Sequence, residues 1–287
     1  LKQAFEGKLT ARWRTQKPDK LESPAQLLAR IQSARQARYE KQFKEWETNG
    51  KSGSRPKKPS DFEPLDAVAL SSLRPLPAAW AWVRFGNLLA ISSGDGLTAH
   101  QMNGGPYPVY GGNGVSGYHD TFMFEEPRMV IGRVGAKCGI THITAPKSWV
   151  TDNALVCEFL IESISMEFVK LLLNHLNLNK LSVSTAQPVV SGSKLNPLPL
   201  PIPSLPEQQE IVRILDEQFE VIERNEREID AALKRSEALR QSILKKAFTG
   251  QLVPQDPSDE PASALLARLR TESVRTAKPP NGHAKNL

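Results

Sequence analysis

Cysteine is nearly absent from this chain, with two residues in 287, at positions 138 and 157. Two thiols outside any CxxC pair or Cys/His cluster exclude a disulfide-built scaffold and argue against a structural zinc site. A reducing compartment, the cytoplasm, is the expected setting. No run approaches the roughly 18 consecutive apolar residues of a membrane-spanning helix. The opening LKQAFEGKLT has no apolar centre and is not a secretory signal. It begins on Leu1 rather than Met, as a processed chain or a fragment would. There is no GxxxxGK[ST], hence no ATP-binding P-loop. The five histidines form no Ser/His/Asp grouping, and His175 reads as a packing or surface residue. No catalytic constellation and no cofactor site is expected.

What is present is an ordinary globular composition, 39% hydrophobic and 24% charged, long enough for one large or two smaller domains. The charge is uneven. The overall balance is +6, yet residues 1–62 alone carry 15 Lys+Arg against 7 Asp+Glu, a net of +8. Residues 63–205 and 206–287 each come to −1. A basic excess permits nucleic acid as a partner, although a charge run is more often a solvated face.

A short repeat flanks the middle of the chain. LKQAFEGKL at 1–9 returns as LKKAFTGQL at 244–252, identical at six of nine positions, and Leu27-Leu28-Ala29-Arg30 returns as Leu265-Leu266-Ala267-Arg268. Before the second copy, residues 207–248 contain neither Pro nor Gly. Ile211, Leu215, Ile222, Ile229, Leu239 and Ile243 fall on heptad spacing, with Gln218, Asn225, Ala232 and Ser236 between them. This is the seam of a coiled coil with a polar centre. The spacing predicts a helix of about 60 Å whose narrow stripe needs a partner helix, ended by Gly250 and Pro254. Leu1–Glu6 then reads as the tail of an equivalent long helix.

Elsewhere Ser23-Pro24 opens an amphipathic helix running to about Trp46. Residues 49–64 form a Gly/Ser/Pro/Lys-rich linker. The spans 128–134 and 154–160 read as strands and 165–181 as a helix. The Pro-rich stretch 194–206 reads as an extended lead-in to the long helix. The expected fold class is α+β: a mixed α/β globular domain followed by a coiled-coil-type helix, with helical regions at both ends. The expected boundaries are a helical region over 1–62, a linker over 63–74, the globular domain over 75–205, the long helix over 206–248, a second helical region over 249–271 and a disordered tail over 272–287.

Two motifs are misleading. Gly112-Asn113-Gly114-Val115-Ser116-Gly117 fits GxGxxG, but no helix pattern and no ribose-binding acid follow it, so a dinucleotide site is rejected. Asn196-Pro197-Leu198-Pro199 lacks the second adjacent Pro and the aromatic of an amino-methyltransferase loop.

A set of blocks in order is distinctive: LPAAWAWVRFGNL at 76–88, YPVYGGNGVSGYHDTF at 107–122, MVIGRVGAKCG at 129–139, WVTDNALV at 149–156, and AQPVVSGSKLNPLPLPIPSLPEQQEIV at 186–212. With the long helix and the flanking repeat, they resemble the DNA specificity (S) subunit of type I restriction-modification systems, specifically its C-terminal half. The resemblance implies one target recognition domain between two conserved helical regions, and a non-catalytic role. Partner methyltransferase (M) subunits would methylate adenine with S-adenosylmethionine. Motor-nuclease (R) subunits would join through the complex. Double-stranded DNA would be the ligand, and a second S half or a homodimer would pair along the long helix. Ala78-Ala79 before Trp80 and the near-neutral domain charge depart from the family pattern.

The DNA-contact candidates are Tyr110, Asn113, Tyr118 and His119 in the glycine-rich loop, Arg133 and Lys137 around Gly135, and Gln187, Ser193 and Lys194, with Ser191, before the Pro run. Phosphate contacts position such a domain and base-edge contacts specify sequence. Each candidate also has a structural reading: a hairpin with Tyr110 and Tyr118 in the core, an Arg133–Asp152 ion pair, a plain connector near 190. Trp80 reads as core. Two other functions stay open, a scaffold protein that uses the coiled-coil arm without DNA, and an enzyme using the GxGxxG loop.

Overall fold

The computed structural model describes residues 1–59, 61–135, 137–182, 188–254 and 256–276, with residues 275 and 276 described by backbone alone. They divide into two compact units, Leu1–Phe219 and Glu220–Leu287.

The first unit opens with α1 (Lys2–Phe5), α2 (Ala11–Gln16) and α3 (Pro24–Thr48). Ser23 caps α3 as expected: its hydroxyl accepts from the Gln26 amide, the Gln26 side chain accepts in return from the Ser23 amide, and Pro24 follows. Next come α4 (Ala67–Ser71), β1 (Ala81–Arg84), α5 (Phe85–Leu88), β2 (Leu89–Ser93), β3 (Tyr107–Gly111), β4 (Gly114–His119), β5 (Met129–Gly132), β6 (Thr141–Ile143), β7 (Trp149–Val150) and β8 (Ala154–Phe159). The strands expected over 128–134 and 154–160 are β5 and β8. Then follow α6 (Met166–Leu176), capped by Ser165, α7 (Gly192–Leu195) and β9 (Pro199–Ile202). The long helix α8 (Leu205–Phe248) begins in this unit.

The strands form sheets ordered β2-β8-β5-β6, β4-β3-β7 and β1-β9. Alternation along β5 and β8 explains the layering, because successive side chains point to opposite faces. Met129, Ile131, Leu155 and Cys157 enter the large core, with Phe168, Leu172 and Leu173 of α6. Val130, Ala154 and Val156 enter a smaller core with Tyr110 and Val150 of the three-stranded sheet. The four-stranded sheet is thus buried on both sides. In β9 the prolines alternate, Pro199 opposite Arg84 and Pro201 opposite Trp82, and a two-stranded ribbon tolerates prolines that cannot donate to the ladder.

The large core also takes Ala4, Phe5, Leu27 and Ile31 from the N-terminal helices, and Ile211 and Leu215 from α8. Phe5 lies edge-on to Phe168 and stacks on His175, whose pKa burial holds below the ordinary imidazole value. The helical region over 1–62 therefore shares one core with the globular segment over 75–205.

The second unit holds the rest of α8 and α9 (Ala262–Thr276). Gly250, at φ +69°, follows the helix end, as its position after the periodic stretch predicts. Helix α9 runs five residues into the tail expected to be disordered from 272, and this corrects that expectation. Residues 277–287 lie outside the described residues.

Candidate functional site

The glycines of GGNG and IGRVG meet one another. A Cβ on Gly132 would lie 2.1 Å from the Gly112 carbonyl oxygen, and a Cβ on Gly112 would lie 3.0 Å from that of Asn153. The β3–β4 turn therefore rests on the end of β5, backbone against backbone. Gly114, at φ +93°, closes the hairpin in the left-handed region. The GxGxxG match is accounted for by this packing.

A strap continues from β5. The Arg133 amide donates to the Asn153 carbonyl at 2.9 Å, the Val190 amide to the Arg133 carbonyl at 2.9 Å, and the Gly135 amide to the Pro188 carbonyl at 3.2 Å. Val134 bridges Val189. The 112–113 turn, the strap, Asn153 and residues 188–190 thus form one patch, drawn from four blocks far apart in sequence.

Its side chains differ in fate. Asn113 and Lys137 are exposed and Arg133 is partly exposed. The ion pairs nearby are His119–Asp120 and Lys147–Glu125, both at 3.5 Å; among the described residues Arg133 and Lys137 join none, so Asp152 does not pair with Arg133. Tyr118 is half exposed on β4. His119 is mostly covered, edge-on to Trp149 at 5.6 Å.

Tyr110 is corrected from a contact to a core residue: it belongs to the smaller core, and its hydroxyl accepts from the Ala145 amide at 3.0 Å. Lys194 is partly exposed, and its ammonium donates to the Leu181 carbonyl at 2.9 Å. Ser193 is exposed, its hydroxyl 2.9 Å from that of Ser191. Gln187 lies outside the described residues. Trp80 is buried, as expected.

Sequence reasoning missed His142 on β6. Its ring stands 3.6 Å from where a Gly114 Cβ would be. Burial, and secondarily Lys170, lowers its pKa. Asn153, whose carbonyl accepts from the Arg133 amide and faces Gly112 of the turn, was visible only as part of a quoted block.

The long-helix stripe divides. Ile211 and Leu215 are buried in the first unit's core, which corrects their assignment to helix pairing. Ile222, Ile229, Leu239 and Ile243 are 49, 58, 61 and 44% exposed.

The patch and the neighbouring β4 offer amide, phenol and cationic groups. The family model for the type I restriction modification DNA specificity domain matches residues 77–235, more than half of the chain. The chain belongs to this family. It is similar to the type I restriction enzyme EcoprrI specificity subunit of Escherichia coli, 30% identical over 136 residues, which cover 46% of this chain and 34% of that protein. It is also similar to the EcoDI specificity subunit of Escherichia coli, 38% identical over 96 residues, covering 31% of this chain and 22% of that protein. These matches span about a third or less of the relatives' own length. Among solved structures, a chain from a study of complex assembly and conformational transition of the type I R-M system aligns at TM-score 0.50 and 23% identity, covering 79% of this chain and 57% of that one. That likeness concerns the fold.

Proposed function

We propose that this chain is a sequence-reading element of a type I restriction-modification specificity subunit. It binds duplex DNA, performs no chemistry and takes no cofactor. It directs methyltransferase subunits and, through the assembled complex, motor-nuclease subunits, in the cytoplasm. The observation that carries this reading is the family match over 77–235, which contains the whole glycine-locked patch. Within it, Arg133 and Lys137 meet phosphates or guanine edges, and Asn113, Tyr118, His119 and Ser193 supply further polar contacts. Gln187 remains a candidate. Lys194 remains one too, and Tyr110 supports the patch from the smaller core.

The test is duplex binding by the purified chain across a salt series, because phosphate contacts release counterions. Each of Arg133→Ala and Lys137→Ala should lower the salt slope by about one if the residue meets a phosphate. Binding that ignores salt would favour the scaffold reading. Two variants with wild-type affinity and slope would place the interface elsewhere.

We further propose that α8 pairs with a second copy of this chain, antiparallel, through Ile222, Ile229, Leu239 and Ile243. The repeat supports a missing cover at this end: Phe5 in the first copy is fully buried, while its counterpart Phe248 is 88% exposed. Two identical recognition domains would then favour a palindromic bipartite target.

A further inference from the structure

The recognition patch leaves the largest charge feature of the chain unexplained. The excess of positive charge lies in residues 1–62, and half of it belongs to the second half of α3 with the linker after it. Residues 41–58 hold Lys41, Lys44, Lys51, Arg55, Lys57 and Lys58 against Glu45 and Glu47. All six cations are exposed, and among the described residues none enters an ion pair.

This stretch has a defined shape. Tyr39, Phe43 and Trp46 lie one turn apart along α3, with ring centroids 5.8 and 5.7 Å apart in sequence order. The linker folds back over them: Arg55 stands 5.3 Å from the Phe43 centroid, Lys51 stands 5.9 Å from that of Trp46, and the Trp46 indole N–H donates to the Gly53 carbonyl at 3.3 Å. Gly50, Lys51 and Gly53 at positive φ make the reversal. At its base the helix is tied to β8, where Arg38 pairs with Glu158 and donates to the Phe159 carbonyl. The aromatic faces already carry cations from the chain itself, so they are not platforms for bases. What the surface presents is six exposed ammonium and guanidinium groups on a helix and the loop pinned to it.

We propose that this basic arm, Lys41 to Lys58, is a second DNA contact that grips the phosphate backbone of duplex flanking the target, without reading sequence. The proposal rests on the reading of the chain as a DNA-recognition element. Its chemistry separates it from the patch. Polar groups of mixed type on rigid turns suit base edges, whereas unpaired cations of one sign suit phosphates. It also accounts for a near-neutral recognition segment in a DNA-binding chain, because the electrostatic share of affinity is carried outside it.

The experiment uses the full chain and a random-sequence duplex of about 30 base pairs, titrated from about 50 to 200 mM salt. Lys51→Gln, Arg55→Gln, Lys57→Gln and Lys58→Gln are combined in one variant. Its affinity should fall about tenfold or more at the low end, and its salt slope by about two to four, at roughly 0.9 for each phosphate no longer neutralised. A gain variant, Glu45→Lys with Glu47→Lys, should steepen the slope and tighten binding, and it does not depend on the linker keeping its fold. Wild-type slopes in both variants would overturn the arm while leaving the recognition patch standing, and would point the arm toward an acidic protein surface instead. A wild-type chain that binds no duplex at any salt would overturn the DNA reading and the arm with it.

Discussion

The hydroxyl of Thr10 donates to the buried carboxylate of Glu207 at 2.6 Å, across 197 residues of sequence. Arg14 pairs with the same carboxylate oxygen and lies over Trp80 at 6.0 Å. The first turn of α8 is thereby fastened to α2. Removing one partner of a buried ion pair leaves the other uncompensated. Glu207→Ala should therefore lose about 3–5 kcal/mol of stability, measured by chemical denaturation. Arg14→Lys should lose less, since it keeps a charge near Glu207 while giving up the second donor to Gly7 and the guanidinium over Trp80. A Glu207→Ala protein as stable as wild type would show that the packing of Ile211 and Leu215 suffices to seat the helix.

The backbone approach between β5 and the β3–β4 turn predicts a sharp dependence on glycine. Gly132→Ala places a methyl 2.1 Å from the Gly112 carbonyl oxygen, so the turn must move. The expected loss is about 1–3 kcal/mol or more, together with weakened DNA binding. Gly96→Ala meets nothing within 4 Å and has no positive φ, so both properties should stay near wild type. Thermal melts and the duplex titration check the pair.

His142 and His175 are both held neutral by burial, their pKa values below the ordinary 6.5. Below that value the unfolded chain binds protons that the folded chain does not, so stability falls as pH drops from about 6.5 toward the folded values and is unaffected by these groups above it. Melting temperatures should decline over that window. The decline should be shallower in the His142→Gln, His175→Gln double variant, even if that protein is less stable at neutral pH. An identical slope would assign the pH dependence to carboxylates.

The division of the α8 stripe predicts two distinct outcomes. Burying Ile222, Ile229, Leu239 and Ile243 against a partner helix stabilises by roughly 1.5–3 kcal/mol for each side chain. Sedimentation at micromolar concentration should therefore show a dimer, and Ile222→Asp with Ile229→Asp should yield a folded monomer. Ile211→Asp should unfold the first unit instead, because it puts a charge among fully buried residues. A monodisperse wild-type monomer would refute the pairing.

Much of the fold was legible along the sequence. Ser23-Pro24 marks the start of α3, the proline- and glycine-free run marks α8, and the apolar runs mark β5 and β8. These signals are local in sequence and rest on capping, backbone breakers and side-chain hydrophobicity. The candidate site was legible only in part. Arg133 and Lys137 stand in a patch with Asn113. Tyr110 turned inward because β3 is the central strand of its sheet, and the Lys194 ammonium meets the Leu181 carbonyl, a contact that no local pattern announces.

The sequence by itself determined the element types, the ordered blocks of the family and the repeat that ties 1–9 to 244–252. These follow from periodicity, capping and identity, all readable along one dimension. The tertiary structure alone decided which copy of the repeat is covered, which heptad isoleucines belong to a core, and which glycines touch. Burial and backbone approach depend on what arrives from elsewhere in the chain: Phe5 and Phe248 occupy the same place in the same motif, and only the presence of Phe168 and His175 beside Phe5 makes one a core residue while the other stays exposed.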